Sequence, residues 1–363
     1  MVQHVPPRAA FSEKPDRIVG IEGRLKGYSF QEACSGDVWD MPARPGSVWK
    51  SCKNVLVNEP LSREEIVAEY GEAEVSRWIA ALPQEGENPK WDTKNGDIYW
   101  SSGSLYAAGI AANAAVQATR DVLQGLNQTA FCIVRPPGHH CFQTPEGFCI
   151  LNNVVLAAKE ALSQGKKVAI VDWDYHFGDG TAKAFLRNED VMFVSLHAKY
   201  SRYGDETYPR NTWDNLKGSG LCKKTQGRMF NVLWVLDDAD DSAYTYAFQK
   251  VILPALQTFN PDIVFISAGF DAVKGDALAG MYVSPKQFAY MSACIADLGV
   301  PTIAVLEGGY DPELLAECTE FTIKGLRDQN CMNYGSIESL NPMHAQVVDS
   351  VHADLVSMNC IRP

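Results

Sequence analysis

The 363-residue chain has no apolar run approaching the length of a membrane span and no C-x-x-C pair among its ten cysteines. The first absence argues against a transmembrane helix. The second argues against a four-thiolate metal site, and thiols scattered over so long a chain do not make a disulfide framework. They read as buried thiols in a reducing compartment. Basic residues are also in short supply: 32 Lys+Arg against 44 Asp+Glu give a formal net charge of -12. A surface built to hold nucleic-acid phosphates is therefore not expected, whereas a cationic peptide would be drawn to it. There is no strongly basic import run, so the cytoplasm is the default compartment, with the nucleus open. The opening MVQHVPPRAAFSEKPDR lacks the apolar core of a secretory signal and contains the acids and prolines that transit peptides avoid. Cys360 is followed by Arg362 and Pro363, a poor fit to a prenylation box, and the Asn127-Gln128-Thr129 sequon reads as chance.

What is present is a globular composition, 46% hydrophobic and 21% charged. From about residue 105, short β-branched runs alternate with stretches of helical periodicity, the pattern of a parallel sheet covered on both faces by helices. The fold class is α/β. Strands are expected at 130–134, 167–171, 191–196, 230–233, 263–267 and 302–306, each nearly continuous in apolar character. Helices are expected at 105–123 and 154–162, with Gly165 placed as a C-terminal cap. Near the end, Asn341-Pro342 reads as a cap and first-turn proline before an apolar stripe of Val347, Val348, Val351 and Leu355. The first hundred residues hold five of the eight tryptophans and one clear helix start, the capping box at Ser62-Arg63-Glu64-Glu65. They are expected to be a loop-rich flank. No linker, repeat or low-complexity tract interrupts the chain, so one domain is expected over 1–363, with a helical extension at 330–363.

Only seven histidines occur, and four of them, His139, His140, His176 and His197, fall in one central stretch. They belong to a wider pattern. Arg135-Pro136-Pro137-Gly138-His139-His140, Asp172-Trp173-Asp174-Tyr175-His176, His197, Gly269-Phe270-Asp271 and Glu307-Gly308-Gly309-Tyr310 each follow an expected strand. In an open parallel sheet the carboxyl edge is where ligands bind, so all five groups converge on one site. Asp174 and His176, two apart in an extended segment, point the same way and form a metal grip, with Asp172 in support. Asp271 supplies a third ligand, leaving a position open for water, the form of a catalytic centre. The imidazole favours zinc, and Fe(II) suits nearly the same set. His139 and His140, aimed at the same edge by a stiff Pro-Pro-Gly turn, are acid-base candidates, with Asp172 and Asp179 available to orient them. Tyr310 is placed to donate to an oxyanion, Gly308 and Gly309 giving the backbone freedom to put it there.

RPPGHH, GFCILNNV, DWDYHFGDGT, VSLH, SAGFDAVKGD and LEGGYD, in this order, resemble the zinc-dependent histone deacetylase family, in a form close to its class II and bacterial deacetylase-like branches. The likeness runs from E-K-P-D-R near residue 15 to about Gly325. It implies the three-layer arginase/deacetylase-like fold, a central, mostly parallel sheet flanked by helices. It also implies hydrolysis of an N-acetyl amide, typically acetyl-lysine, to a free amine and acetate through a zinc-bound water. By the resemblance, Asp174, His176 and Asp271 match the zinc ligands. His139 and His140 match the histidine pair, partnered by Asp172 and Asp179 respectively, and Tyr310 matches the catalytic tyrosine. Gly147 and Phe148 match the wall of the acyl-lysine tunnel and Asp97 the rim carboxylate; with Leu278 and Gly308 they complete the expected substrate-contacting set. A structural potassium ion would fall on Asp172, Asp174, His176, Ser195 and Leu196.

The pattern also departs from the family. Phe177 stands where many relatives have a second histidine, a position that is not a ligand. Leu278 replaces the glutamate gatekeeper of polyamine-specific relatives, favouring a lysine side chain. The segment 198–220 lacks the usual Phe-Pro-Gly-Thr-Gly turn, leaving Tyr203 and Tyr208 as candidates for the second tunnel aromatic. An arginase-type ureohydrolase needs a further carboxylate where Val273 stands. The remaining alternatives are deacetylation of a polyamine or small amide, and a weakly catalytic acetyl-lysine-binding scaffold. The expected partner is an acetylated protein or peptide, with neither nucleic acid nor membrane, and the oligomeric state is open.

Overall fold

Among the described residues the sheet is made of six strands, β3 (Thr129–Cys132), β4 (Val168–Asp172), β5 (Val191–Ala198), β6 (Met229–Trp234), β7 (Ile263–Ala268) and β8 (Thr302–Leu306). They run parallel in the order β3-β8-β7-β4-β5-β6 in the computed structural model, which describes residues 13–35, 40–92, 97–199, 225, 228–278 and 280–362. All six expected strands are present, with ends displaced by no more than two residues, the margin within which strand ends fray. The near-continuous apolar runs follow from burial on both faces. In β4, Val168 and Ile170 pack into one core and Ala169 and Val171 into the other, the period-2 alternation of a strand covered on both sides.

Three helices cover the first face: α5 (Ser104–Leu123), α6 (Asn153–Ser163) and α7 (Asp179–Phe185). The second face is covered by helix α1 (Asp16–Lys26) and by helices Pro285–Ala296, Pro312–Gly325 and Pro342–Ser357. A longer helix joins them there, Asp241–Ala247 continuing through a π-turn at Phe248–Ile252 into Leu253–Phe259. The last helix begins as its sequence implies: the Asn341 side chain accepts from Met343 N at 3.0 Å, Val348 and Leu355 are buried, and Val347 and Val351 pack at the edge of the core. None of the helices is long and apolar enough to cross a membrane among the described residues.

The N-terminal hundred residues correct the loop-rich expectation. They contain α1, α2 (Phe30–Ser35), α3 (Arg63–Tyr70) and α4 (Glu72–Ala81), together with a short antiparallel ribbon of β1 (Lys90–Trp91) and β2 (Tyr99–Trp100). Only α3 was announced by its cap, in which Ser62 accepts from Glu65 N and Glu65 accepts from Ser62 N at 2.8 Å. Helix α1 escapes a periodicity reading because charged residues share its buried side: Arg17, Glu22 and Lys26 are all buried. Tertiary partners stabilise this helix, and they cannot be read from its own hydrophobic stripe.

Candidate active site

Strands β4 and β7 are neighbours, with Asp172 in register with Ser267. The segments leaving their carboxyl ends therefore emerge side by side, which brings Asp174 and His176 against Asp271. His176 Nδ1 lies 2.9 Å from Asp271 Oδ2 and 3.2 Å from Asp174 Oδ1. One ligand atom from each residue falls within 4.8 Å of the others. Backbone donors hold both carboxylates: Gly308 N to Asp174 Oδ2 at 2.8 Å, His176 N to Asp174 Oδ1 at 2.8 Å, and Tyr175 N to Asp271 Oδ1 at 2.9 Å. A Cβ at Gly308 would stand 2.6 Å from Asp174 Oδ2 and 2.7 Å from Asp271 Oδ2, so only glycine leaves the mouth of the triad open.

Two buried carboxylates around one imidazole demand a positive charge. Burial opposes a charge on His176, but its hydrogen bonds to Asp174 and Asp271 outweigh that cost and push its pKa up to about 10. Burial and the charge of Asp174 raise the Asp271 carboxyl, whereas His139 and His176 hold Asp174 below the usual carboxylate range against its own burial. One half-buried nitrogen and two buried carboxylates, mutually close, form a donor set that fits zinc or Fe(II).

The histidine pair sits on the loop after β3. Glu307, at the end of β8, accepts from Gly138 N at 2.6 Å and His139 N at 3.2 Å, tying the two loops together. The imidazoles lie 4.1 Å apart between centroids, and each bonds a different carboxylate through Nδ1: His139 to Asp172 at 3.1 Å, His140 to Asp179 at 2.8 Å. Each Nε2 is thereby turned away from its carboxylate, that of His139 coming within 3.8 Å of Asp174. The environments split the two rings. For His139, burial favours the neutral form, but Asp174 and Asp172 together raise its pKa well above the ordinary value. Burial and then the charge of His139 lower that of His140. Two titratable groups driven apart in this way suit opposite proton-transfer roles. Asp179 also receives the Lys183 ammonium, one turn along α7.

Tyr310 completes the edge. Burial, then Asp271 and Asp174, push its pKa well above the usual phenol value, so it remains a donor. The Phe148 ring meets it edge-on at 5.8 Å. Gly147 and Phe148 both have left-handed backbones, with φ of 54° and 66°. A Cβ at Gly147 would come within 2.3 Å of the His140 ring, so this segment can approach His140 only as glycine. Exposed Asp97 accepts from Gly147 N at 3.1 Å, which sets this carboxylate beside Gly147 and Phe148. Leu278 is half-buried on the loop after β7.

The structure thus gathers His139, His140, Asp172, Asp174, His176, Asp179, Asp271, Gly308 and Tyr310 at one edge, with Gly147, Phe148 and Asp97 beside them. Asp172 and Ser195 are paired in register between β4 and β5, and the Ser195 hydroxyl bonds His197 Nδ1 at 2.7 Å. His197 is buried with its ring against Phe177 at 4.7 Å, which accounts for the fourth clustered histidine by packing. Tyr203 and Tyr208 lie outside the described residues.

Sequence reasoning gave no role to a second group of buried polar residues. Arg17 of α1 donates from Nε to Gly309 O at 2.6 Å and from Nη2 to Glu307 O, and its guanidinium stands 5.2 Å from the centre of the Tyr310 ring. Glu13 receives Arg135 Nε at 2.8 Å, Arg135 Nη2 at 2.7 Å and Tyr99 OH at 2.9 Å, and lies 3.5 Å from Arg17. Arg135, Glu307 and Arg17 all fall within the motifs quoted above. The usable signal was that the motifs contain more charge than the chemistry requires.

The family model of the histone deacetylase domain matches residues 46–326. The chain is 38% identical to histone deacetylase 15 of Arabidopsis thaliana over 245 residues, covering 65% of this chain and 42% of that protein. It is 32% identical to histone deacetylase 6 of Caenorhabditis elegans over 330 residues, covering 88% of this chain and 32% of that protein. For histone deacetylase HDA1 of Candida albicans the identity is 35% over 234 residues, 62% of this chain and 28% of that protein. The aligned region thus spans well under half the length of these curated relatives. The crystal structure of the HDA15 HD domain superposes with a TM-score of 0.75 at 29% identity, covering 95% of this chain and 88% of that one.

Proposed function

The chain belongs to the histone deacetylase family, and from that premise we propose that it is a zinc-dependent amidohydrolase that converts Nε-acetyl-lysine in a protein or peptide to lysine and acetate. The observation that supports this most is the paired arrangement at the sheet edge. Two adjacent imidazoles, each with its own carboxylate, lie beside a triad of Asp174, His176 and Asp271, with Tyr310 on the loop after β8 at the same sheet edge.

Asp174, His176 and Asp271 would hold the ion, which when bound polarises the amide carbonyl and lowers the pKa of a water. His140 has a lowered pKa and an Nε2 directed away from Asp179, so it is neutral at pH 7 and accepts the proton of the attacking water. Asp179 fixes the tautomer that makes this possible, since Nδ1–H donates to it. His139, whose pKa is raised by Asp174 and Asp172, keeps its proton beside the developing negative charge. Tyr310 donates its phenolic proton in a hydrogen bond to the oxyanion, and His140 then returns a proton to the leaving amine nitrogen. Gly147 and Phe148 line the approach of the acyl-lysine, Leu278 flanks it without an added charge, and Asp97 at the rim receives the substrate backbone. Asp172, Asp174, His176, Ser195 and Leu196 would hold a structural potassium ion, Asp172 and Ser195 being paired in register between β4 and β5. In this reading residues 1–363 act as one domain, in which α1 packs against the same core as the C-terminal helices.

The test compares an acetyl-lysine peptide with N-acetylputrescine, using protein loaded with zinc and protein treated with a chelator. Turnover of the peptide that chelation abolishes is the expected result. Preference for N-acetylputrescine would replace the substrate class, and no turnover of either by the zinc-loaded protein would refute the enzymatic reading.

A further inference from the structure

The loop after β7 holds a buried carboxylate that takes no part in the chemistry above. Asp276 is 2% exposed. Its Oδ1 accepts from Leu278 N at 2.8 Å, and its Oδ2 accepts from Tyr310 N at 2.6 Å and from Asp311 N at 3.2 Å. One side chain thus joins two loops, the first bearing Leu278 and the second bearing Tyr310.

We propose that Asp276 is the positioning residue for Tyr310, holding the phenol in register with the wall at Leu278. This rests on the deacetylase reading given above. Tyr310 follows Gly308 and Gly309, the latter at φ 110°, and such a pair does not by itself hold a backbone in one orientation. A tyrosine hydroxyl lies about 6 Å from its Cα, so each 10° of backbone rotation moves it by about 1 Å, more than catalytic geometry tolerates. The Tyr310 amide makes its hydrogen bond to Asp276 rather than to a strand, and Asp276 is firmly based. Its own N–H bonds Val273 O at 3.1 Å, Lys274 N bonds Val283 O at 2.9 Å, and Tyr282 N bonds Ala239 O at 3.0 Å, closing the loop onto the body. On the other side, Asp311 caps helix Pro312–Gly325 by accepting from Glu313 N and Leu314 N, so its bond to Asp276 ties the tyrosine loop to a rigid helix start. A carboxylate suits this task because it accepts three N–H groups at once. An amide of the same shape would turn a donor toward at least one of them.

The test is a double-mutant cycle on the full, zinc-loaded chain with an acetyl-lysine peptide. Asp276→Asn is expected to lower kcat tenfold or more while KM stays within threefold, with one zinc per chain retained. In a Tyr310→Phe background the same substitution should cost less than a further twofold, because the group it positions is already gone. Asp276→Ser, which shortens the acceptor without adding an opposed amide donor, should show the same split between kcat and KM. An unchanged kcat in folded Asp276→Asn would overturn the inference, and so would a full additional loss in the Tyr310→Phe background. Failure of both substituted chains to fold would reduce Asp276 to a structural role and overturn it as well. A wild-type chain inactive on the peptide would instead remove the deacetylase reading on which the inference stands.

Discussion

The ion cluster between α1 and the sheet edge makes a sharp prediction about stability. Glu13, Arg17 and Arg135 are all fully buried, and Glu13 is the carboxylate that both guanidinium groups face. Glu13→Leu takes from buried Arg135 the carboxylate that it meets at 2.7 and 2.8 Å, while its bond to the Tyr99 hydroxyl at 3.0 Å remains. Breaking a buried pair by removing one partner costs about 3–5 kcal/mol. At an unfolding entropy of about 2.1 cal/mol/K per residue, a chain of 363 residues loses roughly 1.3 °C for each kcal/mol, so the melting temperature should fall by about 4–7 °C. Arg17 retains its bonds to Glu307 O and Gly309 O, and its contact with Glu13 is the longer one, so the Tyr310 loop should hold its place. Activity well below the melt should therefore stay within about threefold. Glu13→Leu combined with Arg135→Met removes both charges and should recover roughly 2 kcal/mol, since an apolar pair carries no desolvation debt. Thermal melting by circular dichroism at fixed zinc concentration measures wild type, Glu13→Leu, Arg135→Met and the double variant. Glu13→Leu melting within 2 °C of wild type, or a double variant no better than the sum of the two single losses, would refute the claim that the cost lies in a buried charge deprived of its carboxylate.

Three further outcomes are expected. Zinc added to chelated protein should raise the melting temperature, by about 4 kcal/mol of linkage at a thousandfold excess over Kd, and Asp271→Asn should abolish both that shift and the zinc found by elemental analysis. The acidic limb of kcat/KM should lie below the ordinary histidine range near pH 6.5, because a base whose pKa is lowered by burial stays unprotonated to lower pH; a limb above 7 would contradict the role given to His140. With iodoacetamide at pH 8, mass spectrometry should find exposed Cys34 modified first and buried Cys132, its thiol pushed up to about 12 by burial, untouched in the folded protein.

Much of this was legible without coordinates because it depends on local order. The strands could be read because burial on both faces turns them into unbroken apolar runs, and the caps at Ser62 and Asn341 because a capping residue acts on amides two or three positions away. The site was legible for a topological reason: motifs that follow parallel strands must share one edge, so Asp174, His176, Asp271, the histidine pair and Tyr310 could be grouped before their distances were known. The pairing of His139 with Asp172 and of His140 with Asp179 came only through the family resemblance, and the distances of 3.1 and 2.8 Å agree with it.

The remainder could not be read in this way. Helix α1 presents Arg17, Glu22 and Lys26 to the interior, and a charge reads as surface unless its partner is known. Arg17 reaches Gly309 across 292 positions of chain, Arg135 reaches Glu13 across 122, and Asp276 reaches Tyr310 across 34. The sequence by itself determined the class of fold, the order of its strands along the chain and the chemistry gathered at one edge of the sheet, because periodicity and strand ends are local properties. Only the tertiary structure decided which charges are buried together, which carboxylate steadies which loop and how the two histidines differ in proton affinity, because those depend on distances between residues far apart in the chain.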